Sequence, residues 1–377
     1  MATNVMILGA GFGGLELATR LAEQLPDEVD VTLVDEAPAF VFGFSKLDVL
    51  AGRRTPDEVR IPYAGLDRRG LAFRRERVLE VDPASRRVVT DATTYHPDLL
   101  VVALGAGYDL AETPGFAEGG FEYYSVDGAA RLRDELATFP GGRVILAVLS
   151  IPFKCPPAPY EGALLIHELL VARGVRDASS IHVVSPQPSP IPVSRSASEA
   201  LESAMATRGI EYTKRHRVHG IDPGERRAQF KEHDEPYDLF IGVPVHRVPD
   251  VLVAAGLTED GWVAVDPTTY ATRFPGVWAI GDCTEAGIPK AGTFAESAAQ
   301  VVAAQIVRQV RGEGELERGG RGLCYIEYGD GEVGRVDVDF FAPGGPTAPL
   351  LGPSRDYAAE KADFGAVRRD RWFGSRA

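Results

Sequence analysis

The sequence predicts an α/β fold built around at least two βαβ units, on three observations. Near the N-terminus, a short apolar strand, a glycine-rich turn, a helix and a second strand ending in an acid follow one another. Further on, the continuous apolar run Val144-Ile145-Leu146-Ala147-Val148-Leu149 reads as a buried parallel strand, and Glu161 to Leu170 after it reads as a helix. Finally, 377 residues are too many for one core and suit two or three domains.

The first unit is explicit. Val5-Met6-Ile7-Leu8 is a strand, Gly9-Ala10-Gly11-Phe12-Gly13-Gly14 is the turn, Leu15 to Leu25 is a helix, and Val29 to Val34 is a strand that ends at Asp35. Gly9 permits the tight turn, Gly11 lets backbone approach a pyrophosphate, and Gly14 lets helix and strand pack closely. The helix N-terminus offers free N–H groups to phosphate charge. Asp35 lies 21 residues after Gly14, where a carboxylate can accept from a ribose hydroxyl. This fingerprint in its full βαβ context points to a dinucleotide and leaves open which one.

Composition narrows the rest. Hydrophobic content of 45% and charged content of 25% are ordinary for a globular chain. A net charge of −14 argues against a broad nucleic-acid surface. No apolar run is long enough to span a bilayer, and Val5 to Ala10 has no basic flank, so it reads as a strand rather than a signal peptide. The expectation is a cytoplasmic chain. Three cysteines there are too few for a disulfide scaffold, and a bonded pair would be catalytic rather than structural. No metal site is expected.

Two later stretches choose between cofactors. Tyr95 to Ala106 reads as a strand closing on small residues, and Thr272 to Asp282 as a strand ending in Gly281-Asp282. With the glycine turn, these resemble the flavoproteins that carry two dinucleotide-binding domains. That resemblance implies FAD, two Rossmann-like domains with the second inserted in the first, and a small C-terminal segment. Asp282, after Gly281, would bind the ribityl chain. Ala103 and Gly105 would pass close to the cofactor, and Val78 would give a backbone contact to adenine. Lys290 would open a helix whose N-terminus faces the flavin pyrimidine and stabilises the reduced anion. The implied layout is an FAD domain over 1–113 and 245–318, an inserted NAD-binding-like domain over 114–244, and a C-terminal segment over 319–377, with Arg311 to Gly322 as a charged, glycine-rich linker.

The insert lacks what a nicotinamide dinucleotide needs. After Leu149 the chain reads Ser150-Ile151-Pro152-Phe153-Lys154-Cys155-Pro156-Pro157-Ala158-Pro159-Tyr160-Glu161, with no glycine turn. Prolines remove backbone donors and fix φ, whereas a pyrophosphate needs free N–H groups. The electron donor is therefore expected to be something else, and Cys155 is the candidate. A nearby helix N-terminus and Lys154 would both favour its thiolate.

The segment "KCPPAPYE" resembles that around the active cysteine of the sulfide:quinone oxidoreductases and flavocytochrome c sulfide dehydrogenases, and the likeness runs over nearly the whole chain. It implies that Cys324, in "GLCYIEYGDGEVGRVDV", pairs with Cys155 beside the flavin as a redox disulfide or polysulfide bridge. Sulfide or a small thiol would attack that bridge, leaving a persulfide on one cysteine and a thiolate on the other. Glu161 would move the proton, and two electrons would pass through FAD to a quinone. Cys283 reads as structural packing. Departures are visible. The third cysteine that many quinone-reducing members carry is missing between Tyr123 and Leu132, and the loop after Ile181 to Ser185 has no histidine, His182 within that strand being structural.

In membrane-bound members a C-terminal segment lies on the lipid surface and admits quinone. Here Tyr357, Phe364, Val367 and Trp372, with Arg368, Arg369, Arg371 and Arg376, form a tail that either lies in a bilayer interface or caps the protein's own sheet. Phe340 and Phe341 would line a quinone pocket or a core. The alternatives are a cytochrome as acceptor, a type II NADH dehydrogenase, or a non-catalytic flavin redox sensor.

Overall fold

The computed structural model describes residues 2–66, 68, 70–314 and 316–374, so Arg376 of the tail lies outside the described residues. The chain opens with β1 (Thr3–Leu8), α1 (Phe12–Gln24) and β2 (Val29–Asp35), followed by β3 (Leu71–Arg75) and β4 (Leu99–Val102). It then builds β5 (Gly142–Val148), α2 (Ala158–Ala172), β6 (Ser179–Ser185), β7 (Ile210–Lys214) and β8 (Leu239–Val243). The last part contains β9 (Val277–Ala279), α3 (Gly292–Arg311), the strands β10 (Arg321–Gly329), β11 (Glu332–Asp339) and β12 (Leu350–Ser354), and α4 (Arg355–Phe373).

The first sheet is parallel and has the order β9-β4-β1-β2-β3. Val5 to Leu8 and Leu99 to Val102 are buried throughout, because helices cover both faces of a parallel sheet. The chain leaves this sheet after β4 and returns to its edge as β9. The second sheet, also parallel with order β7-β6-β5-β8, is made entirely in between. This is the α/β architecture expected, with the second parallel sheet inserted within the first.

Two expected strands are shorter than the sequence suggests. The residues before β4 contain Pro97 and those before β9 contain Pro275, neither of which can donate to a ladder. Thr272 to Gly276 instead folds as a turn, with the Thr272 hydroxyl donating to Val277 O at 2.9 Å. The residues after β4, Ala103 to Gly105, are freed from the strand to form a wall of the site described below.

The third sheet, β10-β11-β12, is antiparallel and lies against α2 and α3. Ile326, Tyr328 and Val336 share one core with Tyr160, Leu164 and Ile166 of α2. That shared core is what carries Cys324 to the thiol loop. Phe340 falls just past β11, edge-on to Phe294 at 5.8 Å, and is part of this packing. The connection between α3 and β10 is 312–320, with Gly312 in the left-handed conformation (φ 77°) that ends α3.

The tail caps the protein itself. Trp372 is 1% exposed, packs edge-on to Phe12 and Phe40, each at 5.5 Å, and donates to Glu16 at 2.9 Å. Arg371 pairs with Glu16 and Glu23, and Arg368 with Glu296. Phe364 is also buried, leaving Val367 and Arg369 as its exposed apolar and cationic groups. No helix among the described residues is long and apolar enough to cross a membrane.

Candidate active site

The glycine turn shows a division of labour in space. A Cβ on Gly9 would stand 2.3 Å from Ala103 O, at a φ of +103° that only glycine adopts easily. A Cβ on Gly14 would stand 1.8 Å from Gly9 O, so glycine is required for α1 to cross the turn. Nothing lies within 4 Å of a Cβ on Gly11, whose backbone faces an open cavity. Gly11 caps α1, the cap makes no side-chain bond, and no acid lies in the first turn, so the start of the helix keeps N–H groups to offer a phosphate. Asp35 accepts the Ala10 and Ala37 N–H groups at 2.7 and 2.8 Å, and burial pushes its carboxyl up. The cradle fits a dinucleotide phosphate with a ribose beside Asp35.

One cavity of about 450 Å³ runs from this cradle to the thiols. Its wall includes Gly9, Gly11, Asp35, Ala103, Gly105, Gly281, Asp282, Lys290, Cys155, Glu161 and Cys324. Gly14 sits behind the cradle, and Val78 stands apart, opening the strand Val78–Asp82. The N-terminus of α3 also meets the cavity, with its cap at Ala291 and no acid in its first turn. Lys290 is fixed beside it by donating to Thr284 O at 2.9 Å, with its ammonium 3.5 Å from the Trp262 ring centroid.

The thiol loop is anchored from both sides. Cys155 N–H donates to Lys290 O at 2.8 Å, Lys154 N–H donates to His246 Nε2 at 3.3 Å, and His246 Nδ1 donates to Pro244 O at 2.8 Å. Burial, then Lys154, pushes the imidazole down to about 3, which keeps Nε2 an acceptor. Lys154 Nζ donates to Ala106 O. Cys155 itself has φ +54°, a left-handed backbone rare outside glycine and asparagine and often found at functional positions.

Cys155 and Cys324 are both free thiols in this structure. The expected thiolate preference of Cys155 does not survive. Burial, then Glu161 and Cys324, pushes the thiol well up, outweighing the Ala158 N–H and Lys361. Burial, then Glu161, pushes Cys324 up to about 12. Desolvation within the cavity wall outweighs the nearby cations, and local sequence does not reveal it. Cys283 is buried, with its sulfur 3.4 Å from Ile280 O, and packs beneath the Gly281-Asp282 turn. His182 is likewise internal, bonded to Thr213 at 2.9 Å.

Glu161 lies in the first turn of α2 and is 3% exposed. Burial pushes its carboxyl up to about 7, while Lys361 and the Glu327 N–H, which donates to Oε1 at 2.9 Å, draw it back. A buried carboxyl poised near neutrality between two thiols can take and return a proton. Sequence reasoning missed Lys361, which α4 brings to the cavity wall. The available signal was faint: it is the sole lysine in a tail whose other cations are arginines. It also missed His246 and the buried pair Tyr123 and Tyr124, which line the wall from the segment where relatives are expected to carry a third cysteine. Among the described residues no His, Cys, Asp and Glu cluster could hold a metal ion.

Two parallel βαβ sheets, a glycine cradle at a helix N-terminus and a cysteine pair in the same cavity define a dinucleotide-dependent oxidoreductase of the thiol-handling kind. The chain belongs to the pyridine nucleotide-disulphide oxidoreductase family, whose profile matches residues 3–149 and 161–305. The break in that match is the stretch that carries Cys155. The mitochondrial sulfide:quinone oxidoreductase of Mus musculus is 27% identical over 79% of this chain and 68% of its own. The sulfide-quinone reductase of Aquifex aeolicus is 24% identical over 82% of this chain and 77% of its own. The crystal structure of the Aquifex aeolicus sulfide:quinone oxidoreductase superposes with a TM-score of 0.88 at 21% identity, over 100% of this chain and 93% of that one. An alternative NAD(P)H-ubiquinone oxidoreductase of Arabidopsis thaliana is 30% identical over 63% of this chain but 48% of its own.

Proposed function

We propose that the protein is an FAD-dependent oxidoreductase that takes two electrons from sulfide, or a related small thiol, at the Cys155–Cys324 pair and passes them to a quinone. The observation that supports this best is a single cavity lined by both cysteines, by Glu161 and by the glycine cradle. The domain division is 1–113 with 245–318, 114–244, and 319–377. Gly9 and Gly11 form the cradle for the FAD pyrophosphate at α1, Gly14 lets α1 cross close behind it, and Asp35 and Val78 serve the adenosine end. Ala103, Gly105, Gly281, Asp282 and Lys290 serve the flavin end. Bound FAD supplies the two-electron acceptor beside the thiols.

The chain's own residues carry the sulfur chemistry. In the oxidised pair, hydrosulfide attacks one sulfur. The S–S bond breaks, a persulfide forms on one cysteine, and the other leaves as thiolate. Re-forming the bridge with the added sulfur retained releases two electrons and one proton, and Glu161 takes the proton. The proline loop 151–159 offers no glycine cradle to a nicotinamide pyrophosphate, which disfavours NADH as donor. Quinone is preferred to a cytochrome because the named relatives are quinone enzymes. Any membrane contact through α4 then falls to the exposed Val367 and Arg369, since its other named groups are engaged internally.

Steady-state turnover tests this reading. With sulfide as donor, a short-chain ubiquinone should be reduced, and cytochrome c much more slowly. Reduction of cytochrome c alone would move the acceptor to a protein, and turnover with NADH but not sulfide would overturn the proposal.

A further inference from the structure

We infer that Lys361 is a positioning residue of the thiol site: α4 inserts its ammonium into the cavity wall on Glu327, the residue whose backbone holds Glu161, and so tunes that carboxyl for proton release. This rests on the reading of Glu161 as the proton carrier, and it gives the C-terminal helix a part in the chemistry.

The geometry is specific. Lys361 is 8% exposed, lines the cavity and pairs with Glu327, whose own N–H donates to Glu161 Oε1 at 2.9 Å. Glu327 is also gripped by Arg53 at 2.9 Å, and Arg53 reaches Asp48 at 2.9 Å. A charged cluster thus runs from the half-exposed Arg53 to Lys361 through the Glu327 carboxylate, and the backbone N–H of the same Glu327 meets the buried Glu161. The register of α4 is fixed on both sides of Lys361. Glu360 accepts from Tyr325 at 2.8 Å, and Arg368 pairs with Glu296. The lysine is therefore delivered where the fold needs it rather than left to find a partner.

The groups facing Glu161 come from every element around it: Cys155 from the thiol loop, Cys324, Glu327 and Tyr328 from β10, Tyr123 and Tyr124 from the segment before the helix Val126–Thr138, Arg53, and Lys361. Lys361 and Arg53 favour the charged carboxylate, while Glu327 opposes it. Removing Lys361 leaves Glu327 still paired with Arg53 and takes away one favourable cation from Glu161.

The test is a pH titration of the infrared carboxyl band that disappears in Glu161→Gln, recorded on the flavin-loaded protein without sulfide. In Lys361→Met the midpoint should rise by about one pH unit. Lys361→Gln, which keeps a donor for Glu327 without the charge, should behave alike and guards against an unseated helix. Lys361→Arg should restore the wild-type midpoint, and Arg371→Gln, which loosens the far end of α4, should leave it unmoved. An unchanged midpoint in both neutral variants, or an equal shift in Arg371→Gln, overturns the inference. Sulfide-driven bleaching of the flavin, followed over the same pH range, should show its proton-dependent limb move with the band. If sulfide never bleaches the wild-type protein, the functional reading fails while the band still decides the role of Lys361.

Discussion

The backbone N–H of Cys155 donates to the carbonyl oxygen of Lys290 at 2.8 Å. This bond joins the thiol loop of the inserted sheet to the segment that opens α3 in the first sheet. It is reinforced by the parallel bridge between Lys154 and Lys290. Cys155 is thereby referenced to the N-terminus of α3, whose Gly292 lies against the Phe12 ring at the start of α1, next to the glycine cradle. A thiol positioned this way is placed by backbone rather than by its own acidity, and burial in fact opposes its ionisation.

The glycine cradle yields two contrasting variants. Gly14→Ala would drive a methyl group to 1.8 Å from Gly9 O. It should cost on the order of 1–3 kcal/mol or more and strip the protein of flavin. Gly11→Ala meets nothing within 4 Å in the protein. It should melt like the wild type but bind flavin more weakly, because its methyl group enters the space of the pyrophosphate. Melting curves and flavin-to-protein absorbance ratios check both. Full flavin occupancy in Gly11→Ala would contradict the assignment of the cradle.

Glu161 predicts a particular pH dependence of stability. Its carboxyl is raised in the folded protein from 4.5 to about 7, so the folded state binds the proton more tightly than the unfolded chain. Its contribution is complete below pH 4.5 and is lost as pH rises to about 7. The loss is on the order of 3 kcal/mol. Glu161→Gln keeps an acceptor for the Glu327 N–H and should flatten the profile in that window. Denaturant midpoints at several pH values measure it, and an equally steep profile in the variant would refute the assignment.

The tail predicts a stability contrast. Trp372→Ala removes a ring that is 1% exposed, together with its bond to Glu16. It should cost about 3–5 kcal/mol. Val367→Ser, at a position 62% exposed, should stay within about 0.5 kcal/mol of wild type. Thermal melts distinguish this from a tail whose aromatic groups sit in lipid, for which Trp372→Ala would leave the melt unmoved and reduce vesicle binding instead.

The parts of the site that depend on local chain chemistry were legible in the sequence. Gly9, Gly11, Gly14 and Asp35 lie within one βαβ unit, where the placement of turn, helix and acid is set by spacing. Cys155 stood out because prolines replace a glycine loop. What was hidden depends on distant partners. Lys361 has meaning only through Glu327 and Arg53, and His246 only through Lys154 N–H. The thiolate expectation failed because nearby charge can be read from sequence, but the desolvation that distant segments impose in the cavity wall cannot. The fate of the tail was open for the same reason: its aromatic residues meet Phe12 and Phe40, more than three hundred residues away in the chain.

The most direct test of the account is an anaerobic addition of sulfide to the flavin-loaded protein while the visible flavin band is followed, with NADH added in a parallel sample. The account predicts rapid bleaching by sulfide, slowed in Cys155→Ser by on the order of a thousandfold or more, and no comparable bleaching by NADH. Bleaching by NADH that survives in Cys155→Ser, with none by sulfide, would contradict it and return the proline loop to a nicotinamide site.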